Sequence, residues 1–254
     1  MNYENIVNEW LSKPVMTIED LDTRLENFRI LFAYNSNAIE NPQITYHDTR
    51  EVFENGKVIG FTGDLRTLYE IQNQKVAYEM LQEKILAKEA LSVPLILSIH
   101  EALMHGCYDE RRWQIGERPG TFKKHDYMTG DGIGSAPEDV ENEVASLCEE
   151  VNEAKTEPEA ILTIASYLHL RFETIHPFAD GNGRVGRTLL NYYLLTHEHP
   201  PLVIYDEDKR SYYMALTLYD KTERIDGLEA FLKEQLVKTW SKAPAPKKRL
   251  RDLV

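Results

Sequence analysis

The sequence predicts an all-α protein whose helices are interrupted by one short β-hairpin, and two observations carry that prediction. Most of the 254-residue sequence reads as amphipathic helices, in which apolar side chains recur at helical spacing. The clearest run is Ile18, Leu21, Leu25, Phe28 and Phe32. The stretch 116–137 breaks this periodicity with five glycines and two prolines. Alternation there is weak, but it supports a short hairpin.

The first predicted helix has recognisable ends. Thr17 and Asp20 resemble a capping box, in which side-chain and backbone groups at a helix start bond each other reciprocally. Asn41 and Pro42 form a stop signal, so the helix should end near Glu40. The apolar stripe between these ends is interpreted as ordinary core.

The later helices follow in order along the chain. A second is predicted at about 64–87, and a third begins near Pro94, because proline suits the first turn of a helix. Helical periodicity resumes after the glycine-rich stretch, from Val140 and again from Ile161. The remaining helices are predicted at about 184–196, 209–220 and 227–240.

Length and charge limit the function classes. A chain with 42% apolar residues and this length fits one large domain, or one domain with a small attached lobe. The formal net charge of −13 argues against a general nucleic-acid binder, which usually presents excess Lys and Arg to phosphates. The basic cluster at 247–251 is interpreted as a solvated tail. We therefore divide the chain into an N-terminal helical region (1–60), a core (61–240) and a basic tail (241–254).

Cysteine usage and hydropathy indicate a cytoplasmic protein. Cys107 and Cys148 cannot build a disulfide framework, and the cysteines lack metal-type spacing, so reduced thiols are expected. The segment 1–10 lacks the charged and apolar regions of a secretion signal. Apolar stretches such as 93–99 are far shorter than the roughly 18 residues that a spanning helix needs. No membrane partner is therefore expected.

The segment 176–187 contains the residues best suited to chemistry. Pro177 disfavours helical geometry at His176, so a helix should end there and leave the imidazole at a helix-to-loop junction, a good place for a base. The Asp-Gly-Asn-Gly sequence at 180–183 forms a tight turn directly before the next helix. Its glycines let backbone amides point at an anion, and the helix N-terminus adds a dipole that favours phosphate.

Arg184 and Arg187 lie on one face of that next helix and point back toward its N-terminus. Two guanidinium groups fixed in this way suit phosphate oxygens. Asp180 supplies a hard oxygen ligand of the kind that holds Mg²⁺ beside nucleotide phosphates. A base, a carboxylate, an amide turn and paired arginines together indicate phosphoryl or nucleotidyl transfer.

The sequence from His176 to Arg187, HPFADGNGRVGR, resembles the signature of the Fic family, HxFx[DE]GNGRxxR, at every specified position. The resemblance extends over roughly 36–236. It implies an all-α Fic core with a short hairpin flap at 116–137. It also implies the activity of a protein adenylyltransferase, which transfers AMP from ATP, with Mg²⁺, to a Ser, Thr or Tyr hydroxyl.

The resemblance also implies the residues of the site. His176 would accept the proton of the attacking hydroxyl, Asp180 would hold Mg²⁺, and Phe178 would be an apolar anchor. The implied ATP-binding residues are Gly181, Asn182, Gly183, Arg184, Gly186, Arg187, Tyr212 and Tyr213.

Their roles would differ along the nucleotide. The backbone amides and the asparagine side chain of 181–183 would stabilise the α-phosphate, while Arg184 and Arg187 would take the β- and γ-phosphates. Tyr212 and Tyr213 match the family's segment beside the adenine and ribose. Tyrosine at helical spacing is also typical of a core.

A second pattern of the family, [ST]xxxE[GN], is matched by Ser36, Glu40 and Asn41. Independently, Glu40 lies at the C-terminal end of a predicted helix, where the dipole disfavours a carboxylate, so a cation should compensate. The resemblance implies Arg187 as that cation, and an arginine engaged by Glu40 could not receive the γ-phosphate. This N-terminal inhibitory helix would make the enzyme autoinhibited. Glu40 could instead orient a water that removes AMP, or be solvated without a role.

Partners and rival functions stay open at the level of sequence. A target protein would dock at the flap by main-chain pairing, the chain itself is a plausible target, and family habit allows a homodimer. Rival readings are a Fic protein that transfers another group and a non-catalytic interaction module. A zinc hydrolase using His169, Glu173 and His176 has weak support, because HxxxExxH is not a standard zinc pattern.

Overall fold

The computed structural model describes residues 2–129, 132–155 and 157–241, and these ranges are built mainly of helices. The helices are α1 (Tyr3–Leu11), α2 (Ile18–Ala38), α3 (Tyr46–Asn55), α4 (Leu65–Leu86), α5 (Val93–Met104), α6 (Glu110–Gln114), α7 (Val140–Glu153), α8 (Ile161–Ile175), α9 (Asn182–Thr196), α10 (Lys209–Thr222) and α11 (Asp226–Trp240). A short 3-10 helix, Asp206–Asp208, precedes α10. The predicted helical class is confirmed.

Helix α2 shows how the sequence sets an element's ends. The hydroxyl of Thr17 accepts a hydrogen bond from the Asp20 amide at 3.1 Å, and the Asp20 carboxylate accepts one from the Thr17 amide at 3.0 Å. The predicted capping box is therefore confirmed. The helix ends at Ala38, so Glu40 lies in the turn that follows rather than in the helix. A carboxylate on a turn can be aimed without bending the helix before it.

The apolar core is centred on α8 and α9, which pack against each other more extensively than any other described pair. Leu168 and Phe172 of α8 and Leu189 of α9 are fully buried at this contact. One hydrophobic cluster reaches from Ile6 in α1 to Leu236 in α11. The predicted division at residues 60 and 240 stays a prediction, and the predicted basic tail lies almost wholly outside the described residues.

The stretch 116–137 contains two very short strands, β1 (Met128–Thr129) and β2 (Gly132–Ile133), which pair antiparallel. Two residues per strand fall short of an ordinary hairpin, so the predicted docking flap stays a prediction. In the described parts of the chain, no helix combines the length and the apolar character needed to cross a membrane.

Candidate active site

His176 lies where the sequence predicts it, directly after α8. The helix ends at Ile175, and His176 adopts the left-handed conformation with φ 51° and ψ 62°. Its backbone amide donates to the Phe172 carbonyl at 3.0 Å, which closes the last turn. A left-handed backbone is strained for a residue other than glycine, and such strain is often found at functional sites.

The environment of His176 favours the neutral imidazole. Burial lowers its pKa to about 4, and the nearby charge of Lys123 acts in the same direction. A hydrogen bond with the Glu173 backbone and the charges of Glu40 and Asp180 oppose this shift. Near neutral pH the imidazole is therefore unprotonated and can accept a proton.

The glycine turn at 181–183 is shaped by what lies against it. Gly181 has φ 86°, and a Cβ there would lie 2.5 Å from Met104 Sδ. A Cβ at Gly183 would lie 2.5 Å from Glu40 Oε1 and 2.8 Å from Arg187 Nη1. Only glycine at 183 therefore leaves room for a carboxylate and a guanidinium at the N-terminus of α9.

The Asn182 side chain forms two hydrogen bonds with the backbone of Phe178. Its Oδ1 accepts from the Phe178 amide at 2.8 Å, and its Nδ2 donates to the Phe178 carbonyl at 2.7 Å. Phe178 itself is fully buried and stacks on His100, so the predicted apolar anchor is present. Both ends of the asparagine side chain thus bond the backbone of this anchor, and its predicted contact with the α-phosphate stays a prediction.

Arg187 is buried and makes the contacts expected of an inhibited site. Its guanidinium donates to the Ser36 hydroxyl at 3.1 Å and to the Ser36 carbonyl at 2.8 Å. It also forms an ion pair with Glu40 at 2.8 Å. The structure therefore brings together the three residues that the sequence related across about 150 positions.

Arg184 faces a different set of partners. It pairs with Glu70 of α4 at 3.1 Å and with Asp180 at 3.4 Å, and it is 3% exposed. Asp180 also pairs with Arg66 of α4 at 2.9 Å and with Arg112 of α6 at 3.6 Å. Burial raises the pKa of Asp180, but these arginine charges outweigh it and lower the pKa overall. Both motif arginines are thus held by carboxylates rather than left open.

Glu70, Arg66 and Arg112 were missed by the sequence reasoning. Glu70 is 3% exposed and accepts hydrogen bonds from Arg66, Arg184 and Asn41. The available signal was local: Arg66 and Glu70 stand four residues apart, a spacing that pairs opposite charges on a helix. Nothing in that spacing showed that the pair faces the glycine turn.

A buried polar wall lies behind Arg187. Tyr212 is 1% exposed, and its hydroxyl lies 2.7 Å from His169 Nε2. A Cβ at Gly186 would lie 2.4 Å from Glu173 Oε1, so the carboxyl group fills the space that glycine leaves. The Tyr212 ring lies in the buried core, and its predicted place beside the adenine stays a prediction.

Tyr213 differs from its neighbour. It is 43% exposed, and the charges of Glu40 and Arg187 act on its hydroxyl, which places it at the rim of the site. Its contact with a nucleotide base stays a prediction. Among the described residues, no group of three or more His, Cys, Asp and Glu side chains is arranged to hold a metal.

The donor set at Asp180 is compatible with Mg²⁺ carried in by a nucleotide. Mg²⁺ keeps several waters and is usually bound by one or two carboxylates together with substrate phosphates, so a single protein carboxylate is sufficient. The low pKa of Asp180 keeps that carboxylate ionised. Its arginine partners would have to be shared with phosphate oxygens when a nucleotide binds.

Comparison with known proteins identifies the central part of the chain. Residues 90–194 match the model of the Fic/DOC family. A relative from Caenorhabditis briggsae, protein adenylyltransferase fic-1, is 28% identical over 188 residues, which are 73% of this chain and 36% of that protein. Protein adenylyltransferase Fic from Nematostella vectensis is 26% identical over 183 residues, 71% of this chain and 40% of that protein. The chain thus spans well under half the length of these curated relatives.

Solved structures show the same fold. A Fic domain-containing signaling protein from Bacteroides thetaiotaomicron has a TM-score of 0.78 and 25% identity, and the match covers 94% of both chains. Fic-1 from C. elegans (aa134–508) has a TM-score of 0.77 and 22% identity, and the match covers 93% of this chain and 68% of that one.

Proposed function

We propose that the chain, whose residues 90–194 match the Fic/DOC family model, is an autoinhibited protein adenylyltransferase of that family. The proposal rests on one observation above all: the Glu40 carboxylate lies against Gly183 and is held there by Arg187. The protein thus binds an anionic group of its own at a glycine turn that opens a helix, which is where a phosphate is favoured. His176, uncharged near neutral pH, lies close enough for the charges of Glu40 and Asp180 to act on its imidazole.

The reaction follows from these residues. The acceptor hydroxyl of a Ser, Thr or Tyr loses its proton to the His176 imidazole while its oxygen bonds to the α-phosphorus of ATP. The bond from that phosphorus to the bridging oxygen breaks, and pyrophosphate leaves. When Mg²⁺ is bound with the nucleotide, it neutralises phosphate charge beside Asp180. Arg187, once released by Glu40, holds the γ-phosphate, and the backbone amides of 181–183 hold the α-phosphate.

The remaining parts of the proposal concern partners. A target protein docks against the 116–137 stretch, and the chain modifies itself when no other target is present. A homodimer fits the same scheme. The strongly acidic surface expected from a net charge of −13 disfavours nucleic acid as the partner.

The test is self-labelling by ATP that carries a radioactive α-phosphate, followed by intact-mass measurement. We expect Glu40→Gly and Glu40→Gln to increase labelling up to about fivefold, because the lost ion pair has a partly exposed partner and is worth up to ~1 kcal/mol, which changes a population about fivefold. Glu26→Gln, which removes an exposed carboxylate of α2, the helix that precedes Glu40, is the matched control and should behave as the parent. Adding His176→Ala to Glu40→Gly should abolish labelling.

Each result bears on the proposal. An added mass equal to one AMP supports it, and a different added mass supports a Fic protein that transfers another group. Equal labelling of the parent and Glu40→Gly would refute the inhibition by Glu40. Labelling that persists after His176→Ala would refute the role of the base. Absence of any ATP binding would favour a non-catalytic interaction module.

A further inference from the structure

Lys123 is a buried cation that the proposed reaction does not use. Its side chain is 2% exposed, although lysine is among the residues least often buried. Its Nζ has no hydrogen-bond partner among the residues that the structure describes. A buried charge without such a partner is costly, so its position calls for a physical reason.

The position of Lys123 is fixed by the chain on both sides of His176. The Lys123 amide donates to the Pro177 carbonyl at 2.9 Å, and the Ser135 amide donates to the Ile175 carbonyl at 3.0 Å. These two backbone hydrogen bonds hold the glycine-rich stretch against the helix end that carries the imidazole. Lys123 is therefore part of the wall of the site.

The space between the ammonium and the histidine is left open by a glycine. A Cβ at Gly134 would lie 3.1 Å from Lys123 Nζ and 2.6 Å from His176 Cβ. Lys123 Nζ and His176 Cβ therefore both lie next to Gly134, where a side chain would collide with the end of α8. In a poorly solvated site, charged groups interact electrostatically far more strongly than they do in water.

We propose that Lys123 is a positioning residue of the transfer site, whose buried ammonium, held against the helix end that carries His176, adds to burial in disfavouring the charged imidazole. That the site performs a transfer rests on the proposed function, whereas the effect of Lys123 on His176 does not. An ammonium beside the ring makes the protonated imidazole less stable, so the free base persists to lower pH.

The other charged groups around His176 act against Lys123. Glu40, in the turn after α2, and Asp180, in the glycine turn, each favour the protonated imidazole, as does the hydrogen bond with the Glu173 backbone of α8. The charge of Lys123 lowers the pKa of His176, as burial does. Removing its charge should therefore shift the balance toward protonation.

Lys123 has anionic neighbours of its own, which oppose the effect of burial. Burial lowers the pKa of Lys123 overall, and the charges of Asp126, Glu143 and Glu117 offset part of that effect. Glu117 also accepts from the Lys124 amide and Glu143 accepts from the Ser135 hydroxyl, so both carboxylates are tied into the same wall. These three acidic groups thus offset part of the cost of burying an ammonium that has no hydrogen-bond partner among the described residues.

The decisive experiment is a pH titration of His176 by NMR in protein with isotope-labelled histidines. The His176 signal is assigned by its absence from His176→Ala. We expect the titration midpoint to move to higher pH in Lys123→Met and in Lys123→Gln, and to stay at the parent value in Lys123→Arg, which keeps the charge. Lys124→Met removes the charge of the adjacent, exposed lysine and should leave the midpoint unchanged.

Three results would overturn the proposal: an unchanged midpoint in both neutral variants, an equal shift in Lys124→Met, or a shift in Lys123→Arg as large as in Lys123→Met. Thermal unfolding identifies a variant that has lost its fold, and the two neutral variants differ in polarity, so the test does not depend on one of them.

A second measurement links the effect to transfer. In the Glu40→Gly background, the acid limb of the pH–rate profile for labelling should move to higher pH with Lys123→Met and return with Lys123→Arg. A purely structural role would lower the rate equally at every pH. If no labelling occurs at all, the proposed function fails, whereas the NMR midpoint still decides the role of Lys123.

Discussion

The two arginines of the glycine turn lie one helical turn apart in α9, yet their partners differ in kind. Arg184 pairs with Glu70, and each of these side chains is 3% exposed. Arg187 pairs with Glu40, whose side chain is 38% exposed. Removing one member of a fully buried pair leaves an uncompensated charge, whereas water replaces a partly exposed carboxylate. We infer that the ion pair between Arg184 and Glu70 stabilises the fold, whereas the ion pair between Arg187 and Glu40 can open.

The largest expected effect comes from Glu70→Leu, which tests the structural side of the comparison. It removes an acceptor shared by Arg184, Arg66 and Asn41. We expect the free energy of unfolding, from urea denaturation, to fall by about 3 kcal/mol, because Arg184 keeps only its longer contact with Asp180.

Glu54→Leu, an exposed carboxylate paired with Arg50 in α3, is the matched control and should cost well under ~1 kcal/mol. Equal losses in the two variants would contradict the assignment of Glu70 as a buried anchor.

An intermediate effect on stability is expected from Gly186→Ala, which tests how tightly the buried polar groups next to α9 are packed. The new Cβ would approach Glu173 Oε1 to 2.4 Å, so the carboxyl group must move inside a packed region. We expect a loss of about 2 kcal/mol in the free energy of unfolding. In a double-mutant cycle with Glu173→Ala, the combined loss should be smaller than the sum of the two single losses. Simple additivity would show that the two residues do not compete for this space.

The smallest effect on stability is expected from Glu40→Gln, on the releasable side. Arg187 keeps its hydrogen bonds to Ser36, so the free energy of unfolding should change by less than ~1 kcal/mol. Its effect on nucleotide binding should be larger: MgATP should raise the Tm of Glu40→Gln more than that of the parent, because a tighter ligand stabilises the folded state further. An equal rise in both proteins would mean that Glu40 and ATP do not compete, and the comparison would fail.

The features that the sequence could predict are those governed by neighbouring residues. The start of α2 followed from the capping pair Thr17 and Asp20, and the end of α8 followed from His176 standing before Pro177. Helix α3 was missed, although Thr45 caps its start and Gly56 ends it in the left-handed conformation. With ten residues it is too short for apolar periodicity to stand out.

The site was predicted where a pattern linked distant segments and missed where none did. The contact between Glu40 and Arg187 was predicted because the family resemblance linked the pattern at 36–41 with the pattern at 176–187. Glu70 reaches Arg184 across 114 positions, and nothing local shows which helix face meets the glycine turn. The direction of the Asn182 side chain depends likewise on how the loop folds back over it. Residue type alone therefore identifies candidate groups but not the atoms that they touch.

The place of Glu40 on a turn outside α2 has an evolutionary consequence. Glutamate and glycine codons differ at a single base, so one point mutation could remove the restraint while the core remains intact. A comparable change at Glu70 would compromise folding and be eliminated by selection. Natural variation in the activity of such proteins should therefore accumulate at this turn, where a substitution changes the strength of inhibition without destabilising the core.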